Sequence, residues 1–113
     1  MKGTYLGEFQ EIVLLAILIL KDEAYGVSIQ TEIMNELDRN ISRGALHTAL
    51  TRLQDKGFIK SEVGGATKER GGRRKRLYTV TNLGRAALNE ARDIRDQMWK
   101  KVPDLALNFN YSI

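Results

Sequence analysis

Residues 41–59 read ISRGALHTALTRLQDKGFI. Ser42 carries a short hydroxyl able to accept a hydrogen bond from a free backbone N–H, which predicts a helix N-cap. Gly57 suits the turn that stops a helix, so the stretch predicts a helix from Ser42 to Lys56. At about 100° per residue, Leu46, Ala49, Leu50 and Leu53 share one face, the side to be buried. Gly44, Thr48, Thr51 and Asp55 lie opposite, flanked by His47 and Arg52. Ordinary exposed helix faces carry Glu and Lys. This one is small and polar, and a face of glycine and threonine lets a helix approach another surface closely.

Downstream, Phe58 to Val63 alternates and predicts a strand. Gly64-Gly65 through Gly71-Gly72 is a loop with glycine at both ends, and Lys75 to Val80 predicts the returning strand of a hairpin. Residues 71–81, GGRRKRLYTVT, place four consecutive cations at the entrance to that strand. Phe58 to Val80 holds seven cations and two acids, a net +5; the rest of the chain nets −1, and the whole +4. A localised basic patch is the electrostatic footprint of nucleic-acid binding. The competing reading is a solvated, lysine-rich loop; arginine enrichment and the flanking glycines weigh against it. Strand faces alternate, so Arg73 to Arg76 cannot all point one way, and one or two are expected to face away or pair with Glu62.

The rest of the chain frames this centre. Glu8 to Leu20 is apolar nearly all round and predicts a helix buried on most faces, with Glu8 and Glu11 placed to suit its macrodipole. Tyr25 to Leu37 predicts a second helix with Val27, Ile29, Ile33, Met34 and Leu37 as its apolar stripe. Thr81 caps a last helix from Asn82 to about Lys101, ended by Pro103. Leu83, Ala87, Ala91, Ile94 and Met98 form a seam along it. No later helix covers that seam, so the first helix packs there, or a second copy of the protein, or both. The tail, DLALNFNYSI, alternates at period two and predicts an extended segment.

Composition narrows the function. The 113 residues, 42% apolar and 28% charged, suit one domain with one core. There is no cysteine, and His47 is the only histidine. Disulfides, thiolate sites and multi-histidine metal sites are excluded, and neither metal nor cofactor is expected. No glycine-rich phosphate loop follows a strand, and no Ser-His pair stands at a recognisable elbow, so the chain does not read as an enzyme. MKGTYLGEFQE is not a signal peptide. The longest apolar run, Ile12 to Leu20, falls well short of the roughly 20 residues of a membrane span. The expectation is a cytoplasmic protein with no membrane partner.

The order helix, helix, helix, hairpin, helix is that of a winged helix-turn-helix. The expected fold class is mainly α with a small β-hairpin (α+β), extended by a C-terminal helix that is the candidate dimerisation helix. Residues 1–81 are expected to form the DNA-binding part; 82–113 are expected to form that candidate dimerisation helix and the tail of the same compact domain. In such a module the third helix enters the major groove of double-stranded DNA. The groove candidates are Ser42, Arg43, His47, Thr48, Thr51 and Arg52, with Tyr25 at the start of the second helix. Arg52 reads equally as a salt-bridge partner, and His47 as a packing residue. Lys68, Arg70, Arg73, Arg74, Lys75 and Arg76 are the wing candidates, serving affinity more than specificity. A winged-helix adaptor whose basic wing meets an acidic protein is the alternative.

Three segments together resemble the PadR family of bacterial transcriptional regulators: Tyr25-Gly26, then residues 41–59, then RRKRLYTVTNLG at 73–84. The second is similar to the family pattern G-x-L-Y-x-x-L-x-R-L-x-x-x-G-[LF]-[IL]. The third is similar to its basic wing followed by Y-x-[VIL]-T-x-x-G. Two positions depart: His47 stands where the family has tyrosine, and Gln54 where it has glutamate. The resemblance implies a homodimer held largely by the last helix, acting usually as a repressor. It further implies that a small aromatic effector, binding near the dimer interface, releases DNA. Trp99, with Phe9 and Tyr5, is the candidate wall of that pocket; plain dimer packing is the competing role for Trp99.

Overall fold

A computed structural model describes residues 6–64 and 75–107. Tyr5, Lys68, Arg70, Arg73, Arg74 and the tail beyond Leu107 lie outside the described residues. The order is α1 (Glu8–Leu20), α2 (Gly26–Leu37), α3 (Arg43–Asp55), β1 (Ile59–Val63), β2 (Arg76–Val80) and α4 (Asn82–Lys101). Lys21–Glu23 and Asp104–Ala106 are 3-10 turns. The strands pair antiparallel with Ile59 opposite Val80 and Val63 opposite Arg76. This is the winged helix-turn-helix arrangement expected from the sequence.

Local chemistry explains each boundary. Asp38, at φ 53, ends α2 in the left-handed region. Ser42 Oγ accepts from Ala45 N–H at 3.0 Å and starts α3. Gly57 stops it at φ 81, where a side chain would be strained. Thr81 Oγ1 accepts from Gly84 N–H at 3.1 Å and starts α4.

The core gathers one face of every element around α1. Val13, Leu14, Ile17, Ile29, Ile33, Leu53 and Phe58 are its largest fully buried side chains. Two sequence expectations change here. Leu15, Leu18 and Ile19 of α1 are exposed, so α1 is covered on one side rather than on most faces. Val27 is 61% exposed and leaves the stripe of α2, because two residues of helix turn it about 200° from Ile29.

The tail departs as well. Pro103 leads into the 3-10 turn, and Leu105 and Leu107 are exposed, so this part is not an extended strand.

The start of α4 meets the end of α3 without clearance. A Cβ on Gly84 would collide with Phe58 O and stand 2.8 Å from Val80 Cγ1. Gly84→Ala should therefore cost about 1–3 kcal/mol, the range for overpacking a tight core. Urea denaturation followed by circular dichroism measures it, and an unchanged midpoint would show that the contact is slack.

Candidate nucleic-acid interface

The outer face of α3 is open along its length. Ser42, Arg43, Gly44, His47, Thr48, Thr51 and Arg52 are all exposed, while Leu46, Ala49, Leu50 and Leu53 are buried. The N–H groups of Arg43 and Gly44 are first-turn groups with no intrahelical acceptor. Gln30 Nε2 donates to Ile41 O at 2.9 Å and ties the turn before α3 to α2. At the far end, Lys56 Nζ donates to Gln10 Oε1 at 2.8 Å. Both ends of α3 are thus anchored to the body while its outer face stays bare.

Two hollows flank α3. Gly26, Val27, Gln30, Arg43, His47 and Tyr78 are among the residues lining one, of about 220 Å³, between α2 and α3. Val27 was not a sequence candidate; its position off the stripe of α2 was the signal available. His47 stands at this edge, with its neighbour Leu46 buried. Arg52 and Thr48 line the other hollow, beside the start of α1.

At the entrance to β2, Lys75 and Arg76 are already engaged, on opposite sides of the strand. Arg76 Nη1 donates to Ser61 Oγ at 3.0 Å, and Ser61 Oγ approaches Gln54 Oε1 at 3.5 Å. Arg76 thus pairs with Ser61 of the neighbouring strand and not with Glu62. Lys75 Nζ lies 5.3 Å from the centroid of the Tyr25 ring, and Tyr25 is half-buried at the N-cap of α2.

The model of the transcriptional regulator PadR-like family matches residues 14–90. The chain belongs to the PadR-like family. Its fold is shared with solved PadR structures. A PadR family transcription regulator from Clostridium difficile is 32% identical, with 88% of this chain and 99% of that one covered and a TM-score of 0.64. A PadR-like regulator from Bacillus cereus superposes with a TM-score of 0.68 at 21% identity, covering 89% and 93%. A transcriptional regulator from Clostridium thermocellum gives 0.64 at 24%, covering 85% and 93%. No curated protein shows significant sequence similarity to the chain. No helix among the described residues is long and apolar enough to cross a membrane.

The PadR-like chain carries a second feature, on the far side of α1. A groove of about 390 Å³ runs between α1 and α4, with Leu15 and Leu18 on one wall and Trp99 on the other. Phe9 does not join Trp99. It lines the hollow beside α3 instead, because six residues of helix set it about 240° from Leu15. The seam on α4 also divides. Ala87 is fully buried in the chain's own core, and Ala91 packs beside that core. Leu83, Ile94 and Met98 are exposed.

Glu11 is the one buried charged side chain among the described residues. Arg95 Nη1 lies 2.6 Å from its Oε1. The approach is off-axis, and that oxygen has no hydrogen bond. The attraction is therefore Coulombic, and α1 and α4 are joined by charge across the groove. Neither residue was a sequence candidate, since a contact across 84 positions leaves no local pattern.

Removing one partner of such a pair strands a buried charge, whereas removing both does not. Arg95→Met should destabilise the fold by about 1 kcal/mol at neutral pH, a modest value because Arg95 is half-exposed. Glu11→Gln combined with Arg95→Met should recover most of the loss. Urea midpoints of the three proteins measure both effects.

Proposed function

We propose that this chain is a homodimeric, sequence-specific DNA-binding repressor, each subunit laying α3 in one half of a pseudo-palindromic operator. The observation that carries the reading is the bare outer face of α3. A helix about 10–12 Å across fits a major groove about 12 Å wide, and it approaches the base edges most closely where its outer side chains are short. Gly44, Thr48 and Thr51 meet that condition. Arg43, at the entering end, reaches a guanine edge or a phosphate. Ser42 and the free N–H groups behind it bind a phosphate. Thr48 and Thr51 meet a thymine methyl or the backbone; His47, Arg52 and Tyr25 flank them. The wing cations Lys68, Arg70, Arg73 and Arg74 add phosphate contacts that raise affinity without reading sequence.

In this reading residues 1–81 bind DNA and 82–113 dimerise, within one domain of a cytoplasmic protein that is no enzyme. The second copy covers Leu83, Ile94 and Met98 and the bare side of α1. Half-sites then lie about 34 Å apart, one helical turn. A small aromatic effector at Trp99, between α1 and α4, weakens DNA binding by preferring the non-binding geometry.

Fluorescence anisotropy with the protein's own upstream promoter and a scrambled duplex tests the reading. Promoter binding at least about a thousandfold tighter, with a steep salt dependence, is the expected result. Equal, weak binding to both would refute it. Gly44→Ala separates fold from function. Alanine favours the helix by up to about 1 kcal/mol, so the variant should melt no lower. Its methyl stands on the approaching face, so promoter binding should fall about tenfold, the scale of one poor base-edge contact. A variant as stable and as tight as wild type would take the α3 face out of the interface.

The dimer is tested separately. Ile94 and Met98 are exposed in the single chain, so Ile94→Asp with Met98→Asp should leave the core intact. Sedimentation velocity should show monomers where wild type shows dimers. Persisting dimers would move the interface away from α4.

A further inference from the structure

We infer that Tyr25 and Lys75 form a clasp that sets the direction in which the hairpin leaves the body, which makes Lys75 a positioning residue and not a phosphate contact. The backbone at the hairpin's neck is held on both edges. On one, Gly64 N–H donates to Lys75 O at 2.6 Å, one rung beyond the β1–β2 ladder. On the other, Tyr78 N–H donates to Ala24 O at 2.9 Å, and Tyr25 pairs with Leu77 in an isolated bridge. The Tyr25 ring completes the hold. Lys75 Nζ stands 5.3 Å from its centroid, within the range of about 6 Å for a cation over an aromatic face. A Cβ on Gly64 would lie 3.8 Å from Tyr25 Cε1 and 3.3 Å from Lys75 O. The ring therefore sits against the ends of both strands.

Tyr25 is a firm anchor. Its N–H donates to Ser28 Oγ at 3.0 Å, and its carbonyl accepts from Ile29 N–H at 2.8 Å, so it moves only with the start of α2. Lys75 lies on the face of β2 opposite Arg76, whose guanidinium is bound to Ser61. The two cations therefore brace the strand from its two sides. The ten residues between Gly64 and Lys75 carry Lys68, Arg70, Arg73 and Arg74. A braced neck fixes, relative to α3, the two points at which that segment leaves and rejoins the strands, which lowers the entropic cost of bringing its cations to DNA, a form of preorganisation.

The consequence for DNA rests on the proposed function; the clasp itself belongs to the free protein, and the two are read separately. In the free protein, NMR should show the Lys75 ε-methylene protons moved upfield by the Tyr25 ring current. The shift should disappear in Tyr25→Leu and persist in Tyr25→Phe. In promoter titrations, Tyr25→Leu and Lys75→Met should each weaken binding by about two- to fivefold, and the double variant no further than either. Lys75→Arg, whose guanidinium also stacks on a ring, should rescue. The salt slope of Lys75→Met should match wild type.

A slope lower by about one in Lys75→Met alone would make Lys75 a phosphate contact and overturn the inference. Additive losses, unchanged affinity in all the variants or an unshifted Lys75 resonance would overturn it too. Lys75 is exposed, so Lys75→Met keeps the test valid even where Tyr25→Leu fails to fold. Failure of the parent reading looks different: wild type that does not distinguish promoter from scrambled DNA.

Discussion

The turn at Gly57-Phe58 locks into the turn at Thr81–Gly84, and α3, the hairpin and α4 all take their positions from that contact. Phe58 N–H donates to Leu53 O at 2.9 Å, and Phe58 O accepts from Thr81 N–H at 3.0 Å. Thr81 Oγ1 donates to Gly57 O at 2.6 Å while capping α4 through Gly84 N–H. The Phe58 ring is fully buried, and Gly84 presses against its carbonyl. One hydroxyl thus ties the turn after α3 to the start of α4. Four elements change direction around a few polar atoms, all satisfied, which is how backbone turns avoid the penalty of buried unpaired groups. The start of α4 is therefore rigidly related to the helix with the bare face.

Much of this was legible locally. Caps and periodicity placed α1 at Glu8–Leu20 and α4 at Asn82–Lys101, and Ser42, Gly57 and Thr81 act as their residue types predict. The errors came where one pattern was read without its neighbours. Leu105 and Leu107 alternate like a strand, but the backbone after Pro103 folds into a turn that leaves both exposed. Val27 is apolar but lies off the stripe. Ala87 keeps the seam's spacing, yet it is buried in its own chain, while Leu83, Ile94 and Met98 on the same helix are bare. What stayed invisible were pairs distant in sequence: Lys56 with Gln10, Arg95 with Glu11, Arg76 with Ser61, Lys75 with Tyr25. Periodicity reports which side of an element is buried, not what it meets.

The hairpin shows how a charge count differs from a contact count. Four consecutive cations suggest four equivalent contacts. A strand that alternates cannot present them so, and its last two are taken up by a serine of the partner strand and a tyrosine of the body. Neither arrangement contributes much stability at an exposed site. Both restrict direction, and direction matters where charge must meet a surface fixed by a helix. Affinity from a basic segment grows with its charge, but the entropy lost on binding falls when its base is already set.

The direction of α4 is defined at two places. At its start, Gly84 abuts Phe58; about two-thirds of the way along, Arg95 meets Glu11 across the groove. The first is a hard steric contact with no slack. The second is an ion pair without a directional hydrogen bond, on a half-exposed arginine. Rotation of α4 about its fixed start therefore meets its weakest resistance at Arg95, beside Trp99 and the apolar wall of α1. A molecule that entered the groove would compete with this pair or lean on it, and either would change the angle of α4. In a dimer built on α4, that angle sets the distance between the two α3 helices. Coupling between groove and operator would then need no chain of intermediate residues. It would need only a ligand with different contacts in the two angles of one helix.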